Sequence, residues 1–309
     1  MEKEKFIKAY LNARPLPIDD IMEARRLESK RSSMAAKIAF PGGTIDDITA
    51  DTGQGLTRLR IYTPPGSGPF PVILYMHGGG FSIGSPDTSE NLCRAIAKTA
   101  GAVLISVDYG LAPEHKFPFA LEECYRAALW IDDNDVALNV RSDQLAIAGD
   151  SAGGNLAAGL CLLARERQDF TPIYQVLICP LLDQRTRYET KVEALREGLL
   201  SVRNSATFSR YYLNSPAQEA NLPLASPLLA ESFSGLPPAT IISAELDPLA
   251  AEAGLYAERL KHAETRVIHR HYAGQVHDFV LFVKSLDEAA QAAAAIGLDL
   301  ANAFAGVSN

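Results

Sequence analysis

Apolar residues in this chain gather in short unbroken runs, and between the runs they recur every third or fourth position. The runs at residues 72–76, 103–107, 145–148 and 173–178 contain almost no polar residue. A strand with one wet face alternates apolar and polar positions, so an unbroken run predicts a strand covered on both faces. Further strands are expected at 239–243 and 267–272. Helical spacing lies between them, through 91–97, 121–130, 156–163 and 249–261, and again over the alanine-rich 289–307. Strand and helix in repeated alternation predict a parallel sheet with helices on both sides.

Two stretches break this rhythm. Residues 1–40 are charged and helical in pattern, divided by Pro15 and Pro17, and Asp19 and Asp20 give an acidic start to a helix from Ile21. Residues 183–226 are too long for an ordinary connection and carry an aromatic helical patch at 208–213. Leu59 and Ile61, within 57–62, follow a period of two, as on a half-exposed antiparallel strand. The chain therefore divides into residues 1–45 as the N-terminal part of a helical cap, 46–182 and 227–309 as two parts of an α/β core, and 183–226 as an inserted cap segment.

Composition narrows the class. With 309 residues, 47% hydrophobic and 21% charged, the chain can bury a large core. A net charge of −8 with no basic stripe argues against a nucleic-acid partner. The charged start has no apolar run behind it, and no stretch suits a membrane span. Cys93, Cys124, Cys161 and Cys179 are scattered without metal-ligand spacing and read as buried free thiols, which fits a cytoplasmic location.

The densest chemistry lies at Gly149-Asp150-Ser151-Ala152-Gly153, between a predicted strand and a predicted helix. A serine in a sharp strand-to-helix turn exposes its hydroxyl at the tip of a sheet. Alone the pattern is common by chance; the flanking strand and helix are the context it requires. Serine needs donors for the oxyanion that forms on attack. His77-Gly78-Gly79-Gly80 directly follows the run at 72–76, and its glycines leave backbone N–H groups open to a substrate carbonyl. Gly79 and Gly80 fit best, with Gly78 as the nearby alternative, together with the N–H of Ala152. Gly79→Pro is expected to cripple turnover without unfolding the protein.

Serine also needs a base. Of six histidines, His277 stands just past the last strand, where the chain order Ser…Asp/Glu…His requires it. Asp247 follows the strand at 239–243 and fits best as the orienting acid, although an N-cap role would suit the same position. Glu245 is the runner-up.

The chain resembles the bacterial hormone-sensitive-lipase-like esterases of the α/β-hydrolase superfamily over nearly its whole length. The resemblance rests on His77-Gly78-Gly79-Gly80-Phe81, Asp108-Tyr109-Gly110-Leu111-Ala112-Pro113-Glu114-His115, Gly149-Asp150-Ser151-Ala152-Gly153-Gly154-Asn155, Asp247-Pro248-Leu249 and His277-Asp278-Phe279. It implies an α/β-hydrolase fold, a mostly parallel central sheet flanked by helices with a helical cap. It also implies hydrolysis of short- to medium-chain carboxylic esters through an acyl-enzyme on Ser151, with His277 as base, Asp247 as acid, and no cofactor or metal. Two stretches depart from the family: Gly110, where members usually carry arginine, and Ala251-Glu252-Ala253, where they usually carry Asp-Glu-Gly.

The expected partner is a small-molecule ester, with a homodimer also compatible. An amidase or formamidase with the same triad, or a non-enzymatic receptor on the same fold, are the alternatives. A long-chain lipase fits the charged cap region less well. Phe208, Tyr211, Tyr212, Met22 and Met34 are named from position as substrate-facing, although core packing accounts for aromatics and methionines equally well.

Overall fold

The apolar runs become the inner strands of a single eight-stranded sheet. The computed structural model describes residues 2–12, 15–53, 55–185 and 202–307. Its strands are β1 (Thr44–Asp51), β2 (Leu56–Thr63), β3 (Phe70–Met76), β4 (Val103–Asp108), β5 (Val140–Asp150), β6 (Tyr174–Ile178), β7 (Ala239–Leu246) and β8 (Val267–Val276). Across the sheet they run β1-β2-β4-β3-β5-β6-β7-β8. β2 is antiparallel to both its neighbours, and every pair from β4 to β8 is parallel.

Strand β3 shows why the runs have no polar alternation. Val72, Leu74 and Met76 join Leu121, Leu156 and Tyr256 in the core on one face; Ile73 and Tyr75 join Leu92, Ile96 and Ile296 on the other. Successive side chains point to opposite faces, and here both faces are dry. The helices in chain order are α1 (Lys3–Leu11), α2 (Ile21–Met34), α3 (Glu90–Ala100), α4 (Phe119–Asp133), the short α5 (Asp135–Leu138), α6 (Ala152–Arg167), α7 (Val202–Tyr212), the short α8 (Pro216–Glu219), α9 (Ala250–His262) and α10 (Asp287–Val307). Buried residues of α4, α6 and α9 belong to the first core, and those of α1, α3 and α10 to the second.

Pattern reading missed β1. This edge strand is largely exposed, and its sequence, TIDDITAD, has too few buried positions to show a period. β5 also begins earlier than expected, because the polar Arg141 to Gln144 still belong to the strand.

The N-terminal region and the inserted segment meet one another above the ends of the central strands. Tyr211 Oη on α7 donates to the carbonyl of Ile18 (3.0 Å), and Ile18, Ala24, Ile83 and Phe208 form one small apolar cluster. Arg25 on α2 donates to the carbonyls of Ser82 and Ala112, both at 2.8 Å, and pairs with Glu114. The loops that follow β3 and β4 are thereby tied down from above.

Candidate active site

Strand β5 ends at Asp150 and helix α6 starts at Ala152, so Ser151 alone makes the turn, at φ +54° and ψ −114°. A non-glycine residue there stores of order 1–3 kcal/mol and persists only where its surroundings hold it. The hold is visible: Ser151 N–H donates to Ile178 (2.8 Å), and its carbonyl accepts from Asn155 and Leu181. The flanking glycines are required by contact rather than by freedom of rotation. A Cβ on Gly149 would lie 2.2 Å from the Gly153 carbonyl oxygen, and one on Gly153 would lie 2.0 Å from that of Met76.

His277 follows β8 and Asp247 follows β7, and the sheet brings both beside Ser151. His277 Nε2 lies 2.9 Å from Ser151 Oγ, and Nδ1 lies 2.9 Å from Asp247 Oδ2. Asp247 Oδ1 accepts from Leu249 N–H at 2.8 Å just ahead of α9. Leu249, not Asp247, is the N-cap of α9, so Asp247 closes the turn before the helix with Oδ1 and meets the imidazole with Oδ2. Glu245 turns away and accepts from Gly274 N–H. The remaining histidines are engaged elsewhere: His77 with the Gly78 carbonyl, His115 stacked on Phe119, His262 with the Glu258 carbonyl, and His269 and His271 with Ser243.

Three neighbours of this line were not singled out from the sequence as site residues. Asp278, in the left-handed region at φ +52°, brings Oδ2 to 3.0 Å from His277 Nε2. Tyr10 donates from its hydroxyl to the His277 carbonyl. The buried thiol of Cys179 lies within 4.8 Å of the Asp247 carboxylate and the His277 ring. Burial by itself lowers the imidazole pKa of His277, but the carboxylates of Asp247 and Asp278 outweigh it and raise the group well above 6.5. Asp278 was visible beside His277 in the sequence; its backbone conformation, which aims the side chain, was not.

The glycine loop divides its N–H groups. Gly78 N–H donates to Asp150 Oδ2 at 3.0 Å, while Asp150 Oδ1 accepts from the hydroxyls of Tyr75 and Ser89. Gly78 is therefore a tether of the loop, which corrects its place as an alternative oxyanion donor. Gly79 and Gly80 line the cavity with Ser151 and Ala152, and among the described residues their N–H groups and that of Ala152 meet no acceptor. Gly79 sits at φ +114°, far from the −65° that a proline ring imposes, so Gly79→Pro disrupts the loop rather than deleting one donor. Burial, reinforced by the charge of Asp278, pushes Asp150 up to about 7, against the pull of its three donors. Burial likewise lowers His77 to about 4.

The cavity above Ser151 measures about 550 Å³ and is mainly apolar, with Ile18, Ile83, Leu181, Phe208, Leu249, Leu281 and Phe282 among its walls. Phe208 is among its lining residues. Tyr211, Tyr212, Met22 and Met34 are not. Tyr212 is fully buried and stacked on Phe81 with ring centres 3.7 Å apart, and Tyr211 binds Ile18. Met22 and Met34 are 65% and 74% exposed on the outer side of α2. Helix rotation decides this, and the sequence offers no core period there from which to read it.

Of the departures from the family pattern, the one at Gly110 is filled by neighbouring rings, and those at Ala251 and Ala253 flank the shared Glu252. At Gly110 a Cβ would lie 2.6 Å from the Phe119 ring, and the stacked rings of His115 and Phe119 occupy that space. Beside Ala251, the buried carboxylate of Glu252 accepts from Leu182 and Asp183 N–H and holds the loop after β6.

Comparison with known proteins identifies the family. A family model described as alpha/beta hydrolase fold matches residues 73–281. The carboxylic ester hydrolase LipN of Mycobacterium tuberculosis is 35% identical over 86% of this chain and 72% of its own length. The ethyl acetate hydrolase of Pseudomonas putida is also 35% identical, over 86% and 85%. Among solved structures, an esterase of Pyrobaculum calidifontis superposes with a TM-score of 0.89 at 38% identity, covering 96% of this chain and 97% of that one.

Proposed function

From the premise that the chain belongs to the α/β-hydrolase-fold family, among its hormone-sensitive-lipase-like esterases, and is a carboxylic ester hydrolase, we propose how its residues divide the work. Ser151 Oγ attacks the ester carbonyl as His277 Nε2 takes its proton. Asp247 holds the imidazole by Nδ1 and stabilises the imidazolium that forms. The N–H groups of Gly79, Gly80 and Ala152 receive the oxyanion, where a single donor is typically worth about 3 kcal/mol of barrier. His277 then protonates the departing alcohol, and water repeats the sequence on the acyl-enzyme. The observation that carries this reading is the line Ser151–His277–Asp247 with two 2.9 Å contacts, opening onto a cavity that holds three unpaired N–H groups.

Short- to medium-chain esters fit a mainly apolar cavity of about 550 Å³. Residues 1–45 and 183–226 act as a two-part cap, supported by the Tyr211–Ile18 and Arg25 contacts; residues 186–201 of the insert lie outside the described residues. Four free buried cysteines suit a cytoplasmic setting. The triad and the three N–H donors all belong to this chain, and a homodimer is compatible with them.

The test is hydrolysis of p-nitrophenyl esters, from acetate to palmitate, by wild type and Ser151→Ala. Loss of turnover by a factor on the order of 10⁴–10⁶ in the variant is expected. Equal rates in both proteins overturn Ser151 as nucleophile.

A further inference from the structure

Cys179, Asp247 and His277 are the one group of metal-ligating side chains, among the described residues, whose ligand atoms all lie within 4.8 Å of one another. A thiol, an imidazole nitrogen and a carboxylate are the donor types that Zn²⁺ takes. The thiolate favours Zn²⁺ and Cd²⁺ over Mg²⁺ and Ca²⁺, which prefer oxygen. All three residues are buried, and their carboxylate is already anchored by Leu249 N–H.

A second observation bears on the same site. A histidine bound to metal through one ring nitrogen nearly always donates its other N–H to a carboxylate, carbonyl or water. With metal on Nδ1, that proton sits on Nε2, and Asp278 Oδ2 already stands 3.0 Å away to accept it. The outer partner is thus built in, on the side of the ring away from the proposed ligands.

We infer that Cys179, Asp247 and His277 form an inhibitory site for a thiophilic divalent cation such as Zn²⁺ or Cd²⁺. The inference that binding inhibits rests on His277 being the base. The thiol proton leaves to solvent as Sγ binds, and the single proton of the neutral imidazole moves from Nδ1 to Nε2 as Nδ1 takes the cation. An Nε2 that carries a proton cannot take another from Ser151, and Asp247 no longer orients the ring. Catalysis stops without any change in the substrate cavity.

The test uses the full chain. Zn²⁺ is expected to inhibit hydrolysis of p-nitrophenyl butyrate, Mg²⁺ is not, and EDTA is expected to restore the rate. Cys179→Ala and the near-isosteric Cys179→Ser, each read against its own metal-free rate, should need more than about tenfold more Zn²⁺ for half inhibition. Equal Zn²⁺ sensitivity in wild type and both variants overturns the site. A readout independent of turnover is the thiolate-to-metal charge-transfer absorption on titrating Cd²⁺ into Ser151→Ala, which should vanish in Ser151→Ala/Cys179→Ser. That band in a protein whose wild type hydrolyses no ester would count against the catalytic roles and leave the metal site standing. Hydrolysis by wild type with no band in Ser151→Ala would do the reverse.

Discussion

Asp278 Oδ2 stands 3.0 Å from His277 Nε2, as close to that nitrogen as the Ser151 hydroxyl at 2.9 Å. The imidazole therefore faces two carboxylates, Asp247 on one nitrogen and Asp278 on the other. Both favour its protonated form, and together they outweigh the burial that disfavours it. A base works only when unprotonated, so kcat/KM should rise with pH and reach half its plateau above 6.5. Asp278→Asn removes one negative charge and should move that half-point to lower pH. A pH profile of kcat/KM on one p-nitrophenyl ester reads it; an unmoved half-point means the imidazole does not feel the Asp278 charge.

His77 and Asp150 bend the stability curve in opposite directions. His77 is lowered from 6.5 to about 4, so its contribution is complete above 6.5 and is lost as pH falls towards 4. Asp150 is raised from 3.8 to about 7, so its contribution is complete below 3.8 and is lost as pH rises to about 7. Over the shared window the two slopes oppose each other. Asp150→Asn abolishes the falling slope, and the unfolding free energy of the variant should climb with pH relative to wild type by up to about 1.4 kcal/mol per unit. Urea melts across that window decide it, and parallel curves would show that Asp150 ionises normally.

The Phe208 ring sits against Gly80, where an added Cβ would come within 2.2 Å of it, and forms part of the cavity wall. Phe208→Ala should lengthen the acyl chain the site accepts, raising kcat/KM for octanoate relative to acetate by about tenfold, a typical return for pocket contacts of one or two methylenes. An unchanged chain-length profile would place the acyl group elsewhere in the cavity.

Two glycine-to-alanine changes should move stability in opposite directions. At Gly153 the new methyl meets the Met76 carbonyl oxygen at 2.0 Å, backbone against backbone, and the elbow cannot close around it. A loss on the order of 3 kcal/mol or more is expected. Gly254 lies within α9, and the nearest atom to its added Cβ is His269 Cε1, at 3.9 Å. There alanine should stabilise by about 1 kcal/mol through helix propensity. Denaturant melts of the two variants read both signs at once.

Much of the molecule follows from local pattern. Residues 72–76 must be a strand buried on both faces because no polar residue offers a wet side, and the order of such runs with helices between them leaves few alternatives to a parallel sheet. Gly149, Ser151 and Gly153 carry the elbow in their spacing, since a Cβ at either glycine would lie 2.0–2.2 Å from a backbone oxygen. His277 and Asp247 follow from chain order and strand ends. Other features depend on groups far apart in sequence. The N–H of Gly78 is taken by Asp150, 72 residues away, which leaves Gly79 and Gly80 as the free donors of the loop. Phe208 faces the cavity while Tyr212, one turn on, is buried against Phe81, because α7 docks with one rotation and not another. Cys179 and Asp278 read as a buried thiol and a polar neighbour of the base. Only the packing of β6, β7 and β8 side by side sets Cys179 near His277, and only the left-handed backbone at Asp278 aims its carboxylate at the ring. Short-range sterics and hydrophobicity act within a few residues and can be read along the chain. Hydrogen-bond partners, cavity walls and the fields that shift a pKa are set by distance in space, and the folded sheet decides those.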